Sequence, residues 1–437
     1  MSLSRCGKVG MLLALAAATT LPAGAAEDVV FGSTTQLVSV TLDGTGTGGY
    51  SRTTSVSRNG RYVAFCSTDP RLVSGDTNET WDVFVRDLKT ERTVLVSAGV
   101  GGQSADGISD EPMISAGGDF VTFSSEATNL VTRPVSGWQV YIRDLEQEKT
   151  VLVSVNDRDV PGNDSSRSPQ TSTDGRTVAF ASYATDLVSG DTNGEQDVFV
   201  RDLDASTTTR ISVAPGDQQV GRPSGVHSIS ASGRFVAFSS GANGIVPSDR
   251  DGRKDAFVRN LELRTTRLVS RTSNGTNIAG PVFEPVLSPG ARCVVFTAAS
   301  RKVVRHDNNG VRDVFLRNLR RQTTRLVSRN SAEVIGDDTS RGGSVASGCR
   351  RVAFTSQAKN LAVGSGFFDS DDIFVRNLRA GTTTWVSVPL VLGDKEQVRD
   401  GCWDAMISGD GAHVTFDSYR SGLVPETNHG GVFIRSR

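Results

Sequence analysis

One phrase recurs seven times along this chain, and it constrains the fold more than anything else in the sequence. The copies are SVSRNGRYVAF (55–65), MISAGGDFVTF (113–123), QTSTDGRTVAF (170–180), SISASGRFVAF (228–238), VLSPGARCVVF (286–296), SVASGCRRVAF (344–354) and MISGDGAHVTF (406–416). A second phrase follows each one: DVFVRDL at 82–88, QVYIRDL at 139–145, and relatives at 197–203, 255–261, 313–319, 372–378 and 431–436. A third, of the type TTRLVS, ends at Ser97, Ser154, Ser212, Ser270, Ser328 and Ser387; its seventh copy, ending at Ser39, precedes everything else. A period of about 58 residues means that one supersecondary unit is stacked repeatedly, each copy burying its neighbour's apolar face.

Each repeat holds four short runs rich in Val, Phe, Ile and Thr, bounded by Gly, Asn, Asp and Ser, which is the signature of strands. We label them A (entering the Ser-x-x-Gly turn), B (Val-Ala-Phe), C (Val-Phe-Val-Arg) and D (Thr-Thr-Arg-Leu-Val-Ser). No later segment keeps a helical period, so an α-solenoid is excluded, and the unit is longer than a β-helix coil. Four strands repeated radially predict an all-β, seven-bladed β-propeller with four antiparallel strands per blade. The last repeat stops after strand C while a lone strand D, 34–40, stands at the front. The ring is therefore expected to close by the N-terminal strand completing the last blade, which removes an open edge.

The phrase Ser-x-Asp-Gly-x-x-Val-Ala-Phe followed by Asp-Val-Phe-Val-Arg-Asp-Leu resembles the TolB-type, WD40-like β-propellers of bacterial exported proteins, over residues 34–436. The resemblance implies blades and says little about function, because such repeats mainly specify architecture. TolB itself has six blades and an added N-terminal α/β domain.

The N-terminus reads as an export signal. Arg5 and Lys8 give a basic start, Met11 to Ala18 an apolar run, and Ala23-Gly24-Ala25-Ala26 a small-residue cleavage site. This predicts a signal peptide at 1–26 and one propeller domain at 27–437, periplasmic or secreted, without membrane insertion and monomeric. A formal net charge of −1, with both signs scattered, offers no field for nucleic acid.

Arg86, Arg143, Arg201, Arg259, Arg317, Arg376 and Arg435 fill one slot of strand C in every repeat. A ligand breaks the symmetry of a ring, whereas a blade-to-blade bond is made in each blade, so these arginines are expected to be structural. The loops before strand C carry spaced oxygen groups: Asp76, Asn78 and Asp82; Asp191, Asn193 and Asp197; Asp249, Asp251 and Asp255; Asp307, Asn309 and Asp313. The spacing is calcium-like but shorter than an EF-hand loop and without its closing Glu, so turn capping is the expected role and no metal or cofactor is assigned.

Catalytic signatures are missing: there is no Gly-x-Ser-x-Gly and no His-Glu-x-x-His. Of the four histidines His227, His306, His413 and His429, only His227 approaches an inner strand at the long-loop end; His413 lies at the opposite end. The long connections, D to A and B to C, collect on one face, and the D-to-A loops 41–50, 99–110, 156–167, 214–226, 272–283, 330–343 and 390–402 predict the working surface there. The expected function is a non-catalytic binding scaffold for an envelope protein or extracellular polymer, its partner a protein or polysaccharide on the long-loop face, with no catalytic residue assigned. The alternative is a polysaccharide lyase or hydrolase at the channel mouth, for which Asp106, Asp110, Glu111, Asp157, Asp159 and Asp164 are the candidate acids. Two convergent, desolvated carboxylates in a deep mouth would favour the enzyme, a broad shallow face the scaffold.

Four cysteines remain after signal removal. Cys293 and Cys349 fall at the tight-turn end of neighbouring blades, and Cys66 and Cys402 at the long-loop end of blades that closure makes adjacent. The pairs to expect are Cys293 with Cys349 and Cys66 with Cys402, against four buried thiols.

Overall fold

Runs such as Val-Ala-Phe are apolar at consecutive positions, which a strand tolerates only when both of its faces are covered. The computed structural model describes residues 35–305, 307–365, 370–390, 401–420, 422–425 and 430–437, so the 1–26 segment lies outside the described residues. Seven four-stranded antiparallel sheets stack face to face around a ring. In blade 3 strands A to D are Ser166–Thr171, Thr177–Ser182, Asp197–Asp202 and Thr207–Arg210. Val178, Ala179, Phe180, Val198 and Phe199 there are wholly buried. Phe180 faces Phe199 across the B–C ladder, with ring centroids 5.8 Å apart. The same aromatic pair recurs in all seven blades, with Tyr141 taking one place in blade 2.

The seventh sheet is built from both ends of the chain. Cys402–Ile407, His413–Ser418 and Gly431–Ser436 are strands A to C, and Thr35–Leu37 is strand D, with Thr35 opposite Arg435 and Leu37 opposite Phe433. The ladder is shorter than the expected 34–40 because Val40 leaves it to bridge Gly46. Val38 still donates its N–H to the Val432 carbonyl at 2.8 Å and packs with Val63, Phe65 and Phe84 of blade 1. One short strand thus completes blade 7 and seals it against blade 1.

The strand C arginines tie blades together. Arg201 donates to the Asn156 carbonyl and to Asp159, Arg259 to Asp217, Arg317 to the Arg271 and Thr272 carbonyls, Arg376 to Asn330 and Glu333, and Arg435 to Val386; every acceptor belongs to the preceding blade or its outgoing loop. Arg86 and Arg143 bond Thr93 and Thr150 within their own blades.

Cys293 and Cys349 form a disulfide between blades 5 and 6, with Cα atoms 6.2 Å apart. The Ser-x-x-Gly turn of blade 6 has Cys349 in the left-handed slot, at φ 54°, where Gly60 stands in blade 1. The other expected pair is not made: Cys66 and Cys402 are buried free thiols. Both sit at the long-loop end, but on opposite faces of their sheets. Cys66 packs with blade 2, its Sγ 3.1 Å from Asp110, while Cys402 packs with blade 6 and donates to Ser418 at 3.2 Å.

Two measurements check this account. Without reductant, a denatured chain of residues 27–437 should yield two alkylatable thiols, and four after reduction. Val38→Asp places an unpaired charge in the closure and should cost about 3 kcal/mol or more, read as a lowered urea midpoint.

Candidate functional site

The channel is walled by the seven A strands, and these carry a shared irregularity. Register skips between Arg52 and Ser55, Asp110 and Met113, Arg167 and Gln170, Val226 and Ser228, Phe283 and Val286, Arg341 and Gly343, and Trp403 and Met406. In six blades the third residue of the strand is left-handed: Thr53, Glu111, Ser168, Glu284, Gly342 and Asp404, with φ from 51° to 56°. A bulge leaves its residue outside the ladder and re-aims the side chain. Here it turns Thr53, Glu111, Ser168, Glu284 and Asp404 into one cavity of about 390 Å³, shared with His227, Arg341 and Trp403.

The acids are not equivalent. Glu111 accepts from the Ser124 hydroxyl at 2.8 Å and the Ser168 N–H at 2.7 Å, and Glu284 accepts from the Gly342 N–H at 3.0 Å. Each therefore satisfies a bulge amide of the next blade. Asp110 is neutralised by Arg52 at 2.8 Å and Asp371 by Arg341 at 2.5 Å. Asp404 opens on the channel and is exposed there. Desolvation within the channel, then the charges of Glu284 and Asp110, raise its pKa. Behind it Asp417 of strand B is 5% exposed, with one carboxyl oxygen unpartnered, and burial together with the Asp404 charge pushes its pKa up to about 8. His227 holds the Ser239 hydroxyl at 2.8 Å, and burial lowers its pKa to about 4, leaving a neutral imidazole in the wall.

Around this cavity the rim is aromatic and cationic. Arg52 lies 4.1 Å over Trp81, Arg167 3.5 Å over Trp138, and Arg312 4.6 Å over Phe283. Trp403, Tyr419 and Tyr50 form a file with successive centroids 5.7 Å apart, ending in the exposed Tyr50 ring. The Trp403 indole N–H is anchored on Asp371 at 3.1 Å.

Of the candidate acids only Glu111 lines the channel cavity; Asp110 is held by Arg52 and lies 3.1 Å from the Cys66 thiol. Asp106 accepts from the Thr128 N–H at 2.6 Å, Asp157 from the Thr208 N–H at 2.7 Å, Asp159 pairs with Arg201 at 2.6 Å, and Asp164 accepts from the Ser165 N–H at 2.6 Å. They serve loops and blade contacts, so the set does not converge. His413 lies at the tight-turn end bonded to Ser436, and His306 and His429 lie outside the described residues. The channel carboxylate Asp404 and the buried Asp417 come from blade 7 and were not among the acids singled out. The signal for Asp404 is a polar column inside aligned repeats: 53, 111, 168, 226, 284, 342 and 404 hold Thr, Glu, Ser, Val, Glu, Gly and Asp in a strand that must face the channel.

No family model and no curated protein matches this sequence. Among solved structures the chain is similar to an oligogalacturonate lyase from Vibrio parahaemolyticus at 11% identity, with a TM-score of 0.53, over 92% of this chain and 97% of that one. It is similar to the β-propeller domain of the Trilobed protease from Pyrococcus furiosus at 11% identity, with a TM-score of 0.50, over 89% of this chain and 95% of that one. A TolB candidate from Agrobacterium tumefaciens matches at 17% identity, with a TM-score of 0.40, over 64% of this chain and 81% of that one. The likeness is one of fold. At that level the seven-bladed β-propeller reading holds. Among the described residues no helix is long and apolar enough to cross a membrane.

Asp417 makes a pH prediction. A carboxyl held near 8 in the native chain and near 4 when unfolded carries its proton in the native state between those values, so its contribution to stability is lost as pH rises through that window. Asp417→Asn should therefore raise the melting temperature by on the order of 3 °C at about pH 8.5, and by almost nothing at about pH 4.5, in paired calorimetric scans.

Proposed function

We propose that this protein is an exported, non-catalytic binding scaffold that holds a carbohydrate polymer at the long-loop mouth of its central channel. The observation that carries the reading is the pairing of bulge-aimed carboxylates, Glu111, Glu284 and Asp404, with the aromatic file Trp403, Tyr419 and Tyr50 at the same mouth. Carboxylates and guanidinium groups bond sugar hydroxyls, and aromatic faces cover the apolar C–H faces of the ring, so the two together suit a hydroxyl-rich chain. The basic-apolar-small N-terminus supports export to the periplasm or beyond, and the Cys293–Cys349 disulfide is in keeping with an oxidising compartment.

A second reading has its own observation. Asp404 faces the cavity with its pKa raised, as a general acid requires, and an oligogalacturonate lyase shares the fold. Asp417 sits behind the wall with 5% exposure, out of reach of a chain in the channel, and this favours binding over turnover.

A glycan array followed by titration of the best ligand tests both. Binding is expected, with Trp403→Ala and Glu284→Gln each weakening it about tenfold or more at unchanged melting temperature. Appearance of cleaved product on long incubation would replace the scaffold with an enzyme. A blank array together with a captured envelope protein would move the partner to protein.

A further inference from the structure

The loop before strand C of blade 4 differs from its counterparts in a way that calls for a ligand. In blades 1 to 6 such a loop must satisfy the buried polar side chain that opens strand C. In blade 3 the chain supplies the donors itself. Arg210 reaches Asp191 at 3.0 Å and Asp197 at 3.5 Å, Gln219 donates to Asp191 at 2.8 Å, and Asn193 donates to Asp197 at 3.1 Å. In blade 5 Asn309 donates to Asp313 at 2.9 Å, and in blade 6 Arg420 meets Asp372 at 2.7 Å.

Blade 4 lacks these donors. Asp251 stands where blades 3 and 5 have Asn193 and Asn309. Leu268, opposite Phe257, stands where Arg210 lies opposite Phe199. The carboxylates of Asp249, Asp251 and Asp255 each bring an oxygen to within 4.8 Å of the others. Asp249 is 1% exposed, and neither of its carboxylate oxygens has a hydrogen-bond partner. The nearby cations are turned elsewhere, Arg253 to the Ala279 carbonyl and Arg271 to the Ser248 hydroxyl.

An unpartnered carboxylate buried beside two more is costly unless a cation joins it. We propose that Asp249, Asp251 and Asp255 bind a calcium ion. Calcium takes oxygen ligands at about 2.3–2.6 Å, so oxygens that share one ion lie no more than about 5 Å apart, a condition these three carboxylates meet. Water and loop carbonyls complete the shell. The ion occupies the place that the Arg210 guanidinium takes in blade 3, and it pins a loop on the long-loop face. Turn capping, the role expected for all these loops, accounts for Asp251, which accepts from the Arg253 N–H at 3.1 Å, but not for Asp249.

The test uses the full exported chain, stripped with chelator and then titrated with calcium chloride by calorimetry, alongside thermal melts. With calcium at about a hundredfold over its dissociation constant, the melting temperature should rise by about 3 °C, reversed by chelator, with one site in the titration. Asp251→Asn installs the side chain that blades 3 and 5 already carry on an exposed loop; it should fold and lose the response. No binding heat and no shift in the parent protein would overturn the proposal. So would an undiminished response in Asp251→Asn, which would put the ion elsewhere.

Discussion

The molecule depends on sheets that are apolar on both faces. Such a sheet cannot end in water, so every blade needs a neighbour on each side, and only a closed ring supplies one to all of them. Strands B and C meet this demand with wholly buried runs such as Val63 to Cys66 and Val83 to Phe84. Closure then falls on whichever blade holds the chain ends. Putting Thr35–Leu37 on the edge of blade 7 makes that joint out of the same backbone ladder and the same Val-Phe packing as any other. The strand C arginines add a polar tie where strand D is too short to cover the next blade alone.

Burial on both faces makes the polar exceptions informative. The residue opening strand C is a buried carboxyl in five blades that also bonds the serine ending strand D, as Asp82 does Ser97 and Asp313 does Ser328; blade 2 uses Gln139 with Ser154, and blade 7 opens the strand on Gly431. Burial pushes Asp82 up to about 7. Such a group holds a proton in the native state that the unfolded chain has released above about pH 4, so it weakens the fold as pH climbs from there through neutrality. Gln139 avoids that dependence, and Arg210 and Arg420 offset it with fixed positive charge.

How much could be read in advance depends on which property each residue type reports. Blade number, strand order and the closing strand follow from periodicity, and they are observed. The Cys293–Cys349 bridge follows from which end of a blade each thiol occupies. The same reasoning failed for Cys66 and Cys402 because end and face are separate coordinates. Cys66 looks toward blade 2 and Cys402 toward blade 6, and the face is set by strand pleat rather than by position along the blade. The channel acids escaped for a related reason. A bulge flips the pleat locally, so Glu284 and Asp404 enter the cavity although simple alternation gives no sign of it.

The bulge itself is architecture, and its side chains are the variable part. A left-handed non-glycine residue costs on the order of 1 kcal/mol, and the ring accepts it at Thr53 and Ser168 as well as at the acids. Strain kept where no charge is placed cannot exist for the sake of that charge. The return is steric: A strands crowd the axis of a seven-fold ring, and a bulge bends each one away from it. Once bent, the third residue points inward whatever it is, and the blades then differ in what they present. Blade 4 shows the division most clearly. It shifts register between Val226 and Ser228 without a left-handed residue, and the side chain delivered to the channel is the His227 imidazole. The bulge column is thus one place where blades of common architecture differ in what they turn inward, and it is there that Glu111, Glu284 and Asp404 stand beside Thr53, Ser168 and Gly342.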